Sequence, residues 1–580
     1  MPAARQAQGA RERRLRETLR GVFGIERLRP GQRGVIERVL DGANTLAVMP
    51  TGAGKSLCYQ LPALLLPGRA VVVSPLIALM KDQCEALREL GVKAVQLNSA
   101  IDSEEGHAAQ AALQDGSAKI VMVTPERLSE SAFLAQLKRH PVSLLVVDEA
   151  HCISQWGHDF RPAFLEIGPS LRHLDKPVVL ALTATASEDV IGDIREQLGI
   201  PKAGVVNTGT FRPNLDLRVE PVAREADKLE RALSFVKSRE GSGIVYTATV
   251  RAAQQVFDAL VAAEESVALY HGKLAASERA AVQEAFMSGE RRVMVATNAF
   301  GLGIDKADIR FVLHYQLPPN LEAYYQEAGR AGRDGEQSVC ELLFLRADKA
   351  VQQFFLAGRY PTEEDALALY TALHEAPPDG EAWTYTSLQS HIARPKSKVR
   401  VALGLLRKQK IVAIGEDRID LLRGDLSNGE LGALMQTYRD KRGHDREGLE
   451  RMVFYAQTGQ CRWHVLLEHL EGEAPFERCE HCDNCRRIAA HEKVLEELAS
   501  RPAENDDHAH GPRFARGDIV KVKRYGRGVV EEASALQVTV AFADGARRSF
   551  QPDFVEAVRR KPAQAARMAS ANPGILKSAA

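Results

Sequence analysis

An α/β architecture, with two parallel-sheet domains in tandem and smaller helical and β modules after them, is the fold class this sequence predicts. Two series of short apolar runs alternating with helical stretches carry the first part, because strands buried on both faces of a sheet read as unbroken hydrophobic runs. Length carries the second: 580 residues exceed what one hydrophobic core serves, so three to five domains are expected. The third observation is the change of pattern past Arg359, where the strand–helix alternation stops.

Taken in order, the first series places strands at 46–49, 70–73, 120–123, 144–147 and 178–182, in a domain over 1–205. The second places them at 243–246, 268–270, 293–296, 311–315 and 341–345, in a domain over 206–358. Helical patterns at 363–375 and 386–393, a basic helix at 396–409 and a hairpin within 411–422 then make a winged helix over 362–424. Two helices, 430–441 and 445–458, lead into a cysteine cluster, and together they form a helical metal-binding domain over 428–490. A polar linker is expected at 491–512, where 501–511 carries Asp, His, Pro and Gly. Residues 513–560 read as small β, with Val538, Val540 and Phe542 alternating before an Asp544-Gly545 turn, and 561–580 as a disordered Ala-rich tail.

With 45% hydrophobic and 26% charged residues, the composition is that of an ordinary globular protein. The longest apolar stretches, such as 144–147 and 63–66, fall far short of the roughly 18 residues a membrane span needs, and no membrane partner is expected. Arginines at 5, 11, 13, 14, 16 and 20 are followed by no apolar core, which argues against a secretory signal. Glu12 and Glu17 interrupt that basic run, a poor fit to a transit peptide, so a cytoplasmic address is the expectation. Formal net charge is zero, which does not advertise a polyanionic partner, although a locally basic track would suffice for one. Of eight cysteines, Cys461, Cys479, Cys482 and Cys485 fall within 25 residues, and in a reducing compartment such a cluster points to metal rather than disulfides.

Met49-Pro-Thr51-Gly52-Ala-Gly54-Lys55-Ser56 follows the first strand and precedes a helix. Gly52 and Gly54 let backbone N–H groups close around phosphate, and the helix N-terminus adds a favourable field. Lys55 would reach the β- and γ-phosphates of ATP, and the Ser56 hydroxyl would ligate Mg²⁺. Met49 stands where the usual pattern has its first glycine; a Gly-rich turn of purely structural role is the competing reading. Asp148-Glu-Ala-His151 ends the 144–147 run, 93 residues after Lys55. Asp148 would hold Mg²⁺ through its water shell and Glu149 would activate the attacking water. An acidic pair after a strand can equally be a solvated helix cap, a reading that the preceding P-loop weakens. Gln326-Glu-Ala-Gly-Arg-Ala-Gly-Arg333 lies in the second series. Arg330 and Arg333, three apart, are expected to share one helix face and to reach phosphate across a domain cleft. Arg333 is the candidate arginine finger, with Arg330 beside it on the γ-phosphate; a surface basic helix paired with Glu327 and Asp334 is the alternative.

Over roughly residues 20–350 and 450–486 the chain resembles the RecQ family of DNA helicases. The matching stretches are Leu28-Arg-Pro-Gly-Gln32, the P-loop, Ser74-Pro-Leu-Ile-Ala-Leu-Met-Lys-Asp-Gln83, Thr124-Pro-Glu-Arg-Leu128 and Asp148–His151. They continue with Ala181-Leu-Thr-Ala-Thr-Ala186, Ala296-Thr-Asn-Ala-Phe-Gly-Leu-Gly-Ile-Asp305 and Tyr324–Gly335. The resemblance implies two RecA-like domains and an ATP-driven 3′-to-5′ motor that unwinds DNA in repair or recombination. It implies that Gln32, with Arg29, recognises adenine, that Thr51 and Asp305 join the nucleotide site, and that Gln326 acts with Arg330 and Arg333. Thr183 and Thr185 would link nucleotide state to DNA. Ile25 stands where the family often has an aromatic after the pair matching Phe23-Gly24, so base stacking there is not carried over.

Ser154-Gln-Trp-Gly-His-Asp-Phe-Arg-Pro162 offers Trp156 and Phe160 as faces for bases and Arg161 for phosphate, or else two aromatic core anchors. A similar aromatic-rich loop couples single-strand binding to hydrolysis in RecQ proteins. Cys461-x₁₇-Cys479-x₂-Cys482-x₂-Cys485 suits tetrahedral Zn²⁺, with His464, His469 and His481 as competing ligands, and RecQ proteins carry a similar cluster. The winged helix, with Lys396, Lys398 and Arg400 on its basic third helix as DNA contacts or as a packing surface, precedes the zinc site, whereas in most RecQ proteins it follows. Residues 513–558 resemble the SH3-like module of UvrD-type helicases, a protein-docking device there. Eleven Lys/Arg against six Asp/Glu over 513–561 also admit DNA-backbone binding. The expected partners are single-stranded and forked DNA for a monomeric helicase, with an RNA helicase and a non-enzymatic scaffold as rivals.

Overall fold

The computed structural model describes residues 2–98, 103–154, 161–300, 306–377, 382–415, 418–499 and 513–558. Among them, seven strands build the first sheet: β1 (Thr45–Val48), β2 (Arg69–Val73), β3 (Ala94–Leu97), β4 (Ile120–Val123), β5 (Val142–Val147), β6 (Val178–Thr183) and β7 (Val205–Asn207). All are parallel, in the order β3-β4-β2-β5-β6-β1-β7. The unbroken apolar runs split by the two-residue period of a strand. Leu46, Val48, Val71, Val73, Val121, Val123, Leu145 and Val147 enter one buried cluster. Ala47, Ala70, Val72, Ile120, Met122, Leu144 and Val146 enter another. Each strand thus buries both of its faces, the condition that made these segments legible.

Six parallel strands form the second sheet among the described residues: β8 (Leu215–Val222), β9 (Ser242–Thr247), β10 (Val267–Tyr270), β11 (Val293–Thr297), β12 (Ile309–His314) and β13 (Ser338–Leu345). Their order is β10-β11-β9-β12-β13-β8. Three strands escaped the sequence reading: β3, β7 and β8. In β3 the polar Gln96 breaks the apolar run, β7 is only three residues long, and β8 interleaves Asp216, Arg218 and Glu220 with its apolar residues. Pairing of β7 with β1 also moves the end of the first domain past the expected residue 205.

Beyond the sheets, helices Glu363–His374, Tyr385–Ile392 and Lys396–Lys408 pack with the antiparallel pair β14 (Val412–Ile414) and β15 (Ile419–Leu421) around Leu369, Trp383, Leu388, Leu403 and Ile411. The two helices expected at 430–441 and 445–458 are one, Asn428–Gln457. Gly443 lies inside it, at a cost of about 1 kcal/mol that does not break a helix packed at both ends. Leu431 and Met435 at its start join the preceding core, so the boundary expected near 424–428 is not a break in packing.

The described residues fall into two compact units, one running to Ala456 and resuming over Cys461–Cys485, the other joining Gln457–Gln460 to the residues from Arg486 on. In the second unit an antiparallel sheet of β16 (Ile519–Val522), β17 (Gly526–Ala533), β18 (Val538–Phe542), β19 (Arg547–Phe550) and β20 (Val555–Ala557) runs in the order β19-β18-β17-β16-β20. Thr458 bridges Phe550 of β19, so residues from the segment before Cys461 complete a module that the sequence reading begins at 513. The linker expected at 491–512 is helical in its first part, within Asp483–Ala499; residues 500–512 lie outside those described.

Candidate active site

The functional residues of the first sheet converge at its carboxyl edge, because β2, β5, β6 and β1 are consecutive neighbours and loops leave parallel strands from one side. After β1 the chain turns through Gly52 and Gly54, with φ of 84° and 75°, so that backbone N–H groups can face one point. Lys55 returns over this loop and its Nζ donates to the carbonyls of Met49 at 3.2 Å and Pro50 at 3.4 Å. Burial pulls the ammonium below its ordinary pKa, against the opposing attraction of Glu149 and Asp148. Ser56 stands at the N-terminus of helix Leu57–Leu65.

Asp148 follows β5; its N–H donates to Val73 O at 2.9 Å, and Ser74 Oγ donates to its carboxylate at 3.5 Å. Burial and the adjacent Glu149 push the Asp148 carboxyl up to about 7, with Lys55 opposing. Two adjacent, half-buried carboxylates repel each other, a repulsion that a hard divalent cation relieves, so Ser56 and Asp148 fit Mg²⁺ by donor type and by charge. Glu149 is held in the left-handed region at φ 49°, a strained value for a side-chain-bearing residue. Its Oε2 lies 3.3 Å from His151 Nδ1, which lies 3.0 Å from Thr183 Oγ1, and Thr183 Oγ1 donates to Thr185 O at 2.9 Å. Hydrogen bonds therefore link His151 to the two threonines, and the Glu149 carboxylate lies beside His151 without a hydrogen bond to it.

Arg29 and Gln32, expected on adenine, lie against the P-loop. Gln32 Nε2 donates to Ala53 O at 3.0 Å and Gly54 O at 2.9 Å, and the Arg29 guanidinium donates to Gly52 O. Arg29 N–H in turn donates to Gln32 Oε1 at 2.7 Å, so the pair braces the loop's carbonyl side. Ile25 packs with Leu15, Leu19, Ile36 and Leu61, an apolar role that needs no aromatic.

On the second lobe Gln326 is half-buried on helix Leu321–Ala328. Arg330 and Arg333 do not share a face of that helix: it ends at Ala328, and both stand in the turns beyond it. Gly332 has a φ of 56°, and a Cβ there would lie 2.5 Å from Asn214 Nδ2, so the turn after the helix passes through a point where only glycine fits. The turn carries Arg333 to the P-loop: a Cβ on Gly52 would lie 3.1 Å from Arg333 Cγ, and one on Gly329 would lie 3.4 Å from Thr51 Cβ. Arg330 is buried instead against the Tyr246 hydroxyl. Sequence reasoning missed Arg212 and Asn214, between β7 and β8, which hold this turn; no spacing rule marks them.

Trp156, Phe160 and Asp305 lie outside the described residues. Arg161 donates from Nη1 to Pro75 O at 3.0 Å, inside the stretch that begins at Ser74. Lys396 and Arg400 are exposed on helix Lys396–Lys408, but Lys398 is not part of that basic face. Its Nζ lies 2.8 Å from Asp365 Oδ2; burial alone would raise Asp365, and Lys398 with the Thr362 N–H holds it below its usual value. The periodicity of the helix turns Lys398 inward, where a carboxylate awaits it.

The sulfurs of Cys461, Cys479, Cys482 and Cys485 lie within 4.8 Å of one another, and Cys479 and Cys485 Sγ are 4.0 Å apart. Tetrahedral Zn²⁺ with Zn–S bonds of about 2.3 Å places sulfurs about 3.8 Å apart, so the donor set fits. Backbone N–H groups aim at the sulfurs, Cys479 N to Cys461 Sγ at 3.2 Å and Arg462 N to Cys482 Sγ at 3.4 Å, as thiolate ligands require. The histidines are engaged elsewhere: His464 with Phe476 O, His469 with Glu322 and His481 with Cys479 O. Next to the cysteines, Arg462 and Asp483 form a bidentate pair at 2.9 and 3.0 Å.

The chain matches the DEAD/DEAH box helicase model over residues 29–194, the helicase conserved C-terminal domain over 225–335 and the RecQ zinc-binding domain over 424–486. It is 46% identical over 345 residues to the ATP-dependent DNA helicase RecQ of Bacillus subtilis (strain 168), covering 59% of this chain and 58% of that one. To the probable ATP-dependent DNA helicase RecS of the same organism it is 35% identical over 479 residues, covering 81% and 92%. To the RecQ helicase of Pasteurella multocida (strain Pm70) it is 39% identical over 335 residues, covering 58% and 52%. The chain thus spans little more than half of these RecQ relatives and nearly all of the RecS relative.

Proposed function

The chain belongs to the RecQ family of ATP-dependent DNA helicases, and on that premise we propose that it hydrolyses ATP between its two RecA-like sheets to translocate 3′ to 5′ on single-stranded DNA and separate duplexes. The observation that carries this reading is the approach of Arg333 to the P-loop, with its Cγ 3.1 Å from where a Gly52 Cβ would lie. On one wall Lys55 and the loop N–H groups bind the β- and γ-phosphates, and Ser56 and Asp148 would hold Mg²⁺, which would supply charge neutralisation there. Glu149 takes a proton from the attacking water, and Arg333 on the other wall stabilises charge on the γ-phosphoryl oxygens. The His151–Thr183–Thr185 hydrogen bonds, with the Glu149 carboxylate 3.3 Å from His151 Nδ1, bring the general base next to the edge of β6, a route by which nucleotide state reaches DNA. Closing and reopening the cleft moves the two lobes' DNA grips relative to each other, with the 154–162 loop as one grip.

In this reading the 362–424 module is a winged helix that presents Lys396 and Arg400 to duplex or forked DNA. Four thiolates hold Zn²⁺ as a structural cross-link of the helical domain. Residues 513–558 form an SH3-like barrel for a protein partner; what supports docking is the cross-strand pair Ile519 and Val529, both exposed. The protein acts as a cytoplasmic monomer in repair or recombination. Strand separation on 3′-tailed, 5′-tailed, forked and four-way substrates, with ATPase measured on single-stranded DNA and RNA, tests the proposal. Unwinding of 3′-tailed DNA with DNA-stimulated hydrolysis is expected. Preference for 5′ tails or stimulation by RNA alone would overturn it.

A further inference from the structure

The segment between β7 and β8 joins the two lobes, and one guanidinium in it touches both catalytic loops. Arg212 Nη1 donates to Gly329 O at 2.8 Å and lies 3.4 Å from Thr51 O, inside the P-loop. Its Nη2 donates to Ala331 O at 2.9 Å and to Gly332 O. Gly329, Ala331 and Gly332 are the carbonyls exposed where helix Leu321–Ala328 ends, and they flank Arg330 and lead into Arg333. Asn214 adds a second brace, its Nδ2 donating to Gly332 O at 2.8 Å and Glu336 O at 2.9 Å.

Arg212 is buried, and burial pulls it below its ordinary pKa. What repays the desolvation is a fan of carbonyls that a planar fork can serve and an ammonium cannot. The segment is itself clamped by the zinc-bearing domain. Phe211 sits edge-on to Trp463 at 5.1 Å and to Phe476 at 4.8 Å, Trp463 Nε1 donates to Leu215 O at 3.1 Å, and Thr210 Oγ1 donates to Glu471 at 2.6 Å.

We infer that Arg212 is a positioning residue for ATP hydrolysis: from the inter-lobe segment it sets the Arg333 turn against the P-loop. The inference rests on Arg333 acting as the arginine finger. Three strong carbonyl bonds tie Arg212 to the second lobe and one long bond ties it to the first, so the turn keeps its shape while the lobes part and regains its register when they close. A displacement of about 1 Å at a catalytic group can cost about 100-fold in rate, which is the scale expected for losing the fork.

The test uses full-length Arg212→Gln, Arg212→Lys, Asn214→Ala, Arg333→Ala and the Arg212→Gln/Arg333→Ala double variant. DNA-stimulated kcat is read beside affinity for a fluorescent ATP analogue, with zinc content and melting temperature as checks of folding. Expected are a fall of about 100-fold in kcat for both Arg212 variants, with Lys failing to rescue, and analogue affinity within about threefold of wild type. Asn214→Ala, which leaves Arg212 in place, should lose a smaller factor in kcat alone and carries the test if the Arg212 variants fold poorly. In the Arg333→Ala background, Arg212→Gln should add little further loss, since it acts through Arg333. Full kcat in Arg212→Gln or Asn214→Ala, or losses that multiply in the double variant, would overturn the inference while the arginine-finger reading stands. Full turnover in Arg333→Ala would overturn that reading, and the inference with it.

Discussion

Replacing Asp483 by Asn tests how the domain that matches the RecQ zinc-binding model is held together. Arg462 is fully buried and Asp483 is 18% exposed on its side chain. The carboxylate accepts from Arg462 Nε at 2.9 Å and Nη2 at 3.0 Å, and also from the backbone N–H of Val219 at 3.0 Å on β8. Burial alone would lower the guanidinium's pKa; Asp483 raises it above its ordinary value instead. Asparagine keeps the size but turns an NH₂ toward an arginine donor and leaves a buried cation without its counter-charge. Breaking one partner of such a pair costs about 3–5 kcal/mol. With a urea dependence near 2 kcal/mol/M, the unfolding midpoint of this domain should fall by about 2 M. Two signals follow it: release of zinc to a chromogenic chelator, and the fluorescence of Trp463, which is completely buried. The apolar double replacement Arg462→Met/Asp483→Leu should recover most of the loss, because no charge is then stranded. A midpoint for Asp483→Asn that coincides with wild type would refute the reasoning.

Lys55→Ala should lose ATP binding, whereas Glu149→Gln should bind ATP and fail to hydrolyse it; full DNA-stimulated ATPase in Glu149→Gln would remove Glu149 from the role of base. The Asp148 carboxyl, held up to about 7, must be ionised to hold Mg²⁺, so proton and metal compete there. Affinity for Mg·ATP should therefore fall as pH drops through 7, approaching about tenfold per unit below it, and level off above; a flat profile between pH 6 and 9 contradicts this. Charge reversal at Lys396, Arg400 and Arg407 should flatten the salt dependence of fork binding by about 0.9 per lost phosphate contact, while Lys398→Glu should instead lower the melting temperature by repelling Asp365. Cys482→Ser should yield less than one zinc per chain by elemental analysis, and an absence of zinc from wild-type protein would dismiss the site.

By itself the sequence determined ten of the thirteen strands described in the two parallel sheets, the P-loop, the Asp148–Glu149 pair and the four cysteines. Each of these is a local signal: a run buried on both faces, glycines where φ must be positive, or ligands a few residues apart. The tertiary structure alone decided which of these meet. Only the strand order puts the loops after β1, β5 and β6 side by side. The turn after helix Leu321–Ala328 holds Gly332 against Asn214, more than 100 residues earlier, so Arg333 reaches the P-loop from a turn rather than from a helix face. Arg212 lies 161 residues from Thr51 and 117 from Gly329, separations across which no residue spacing carries information. Lys398 reads as one of several surface cations until Asp365 is seen beside it, and Thr458 as a helix-end residue until it pairs with Phe550. Composition and period report how a segment is buried and how its backbone turns; the partner of a buried charge or an unpaired strand edge is set by the path of the whole chain.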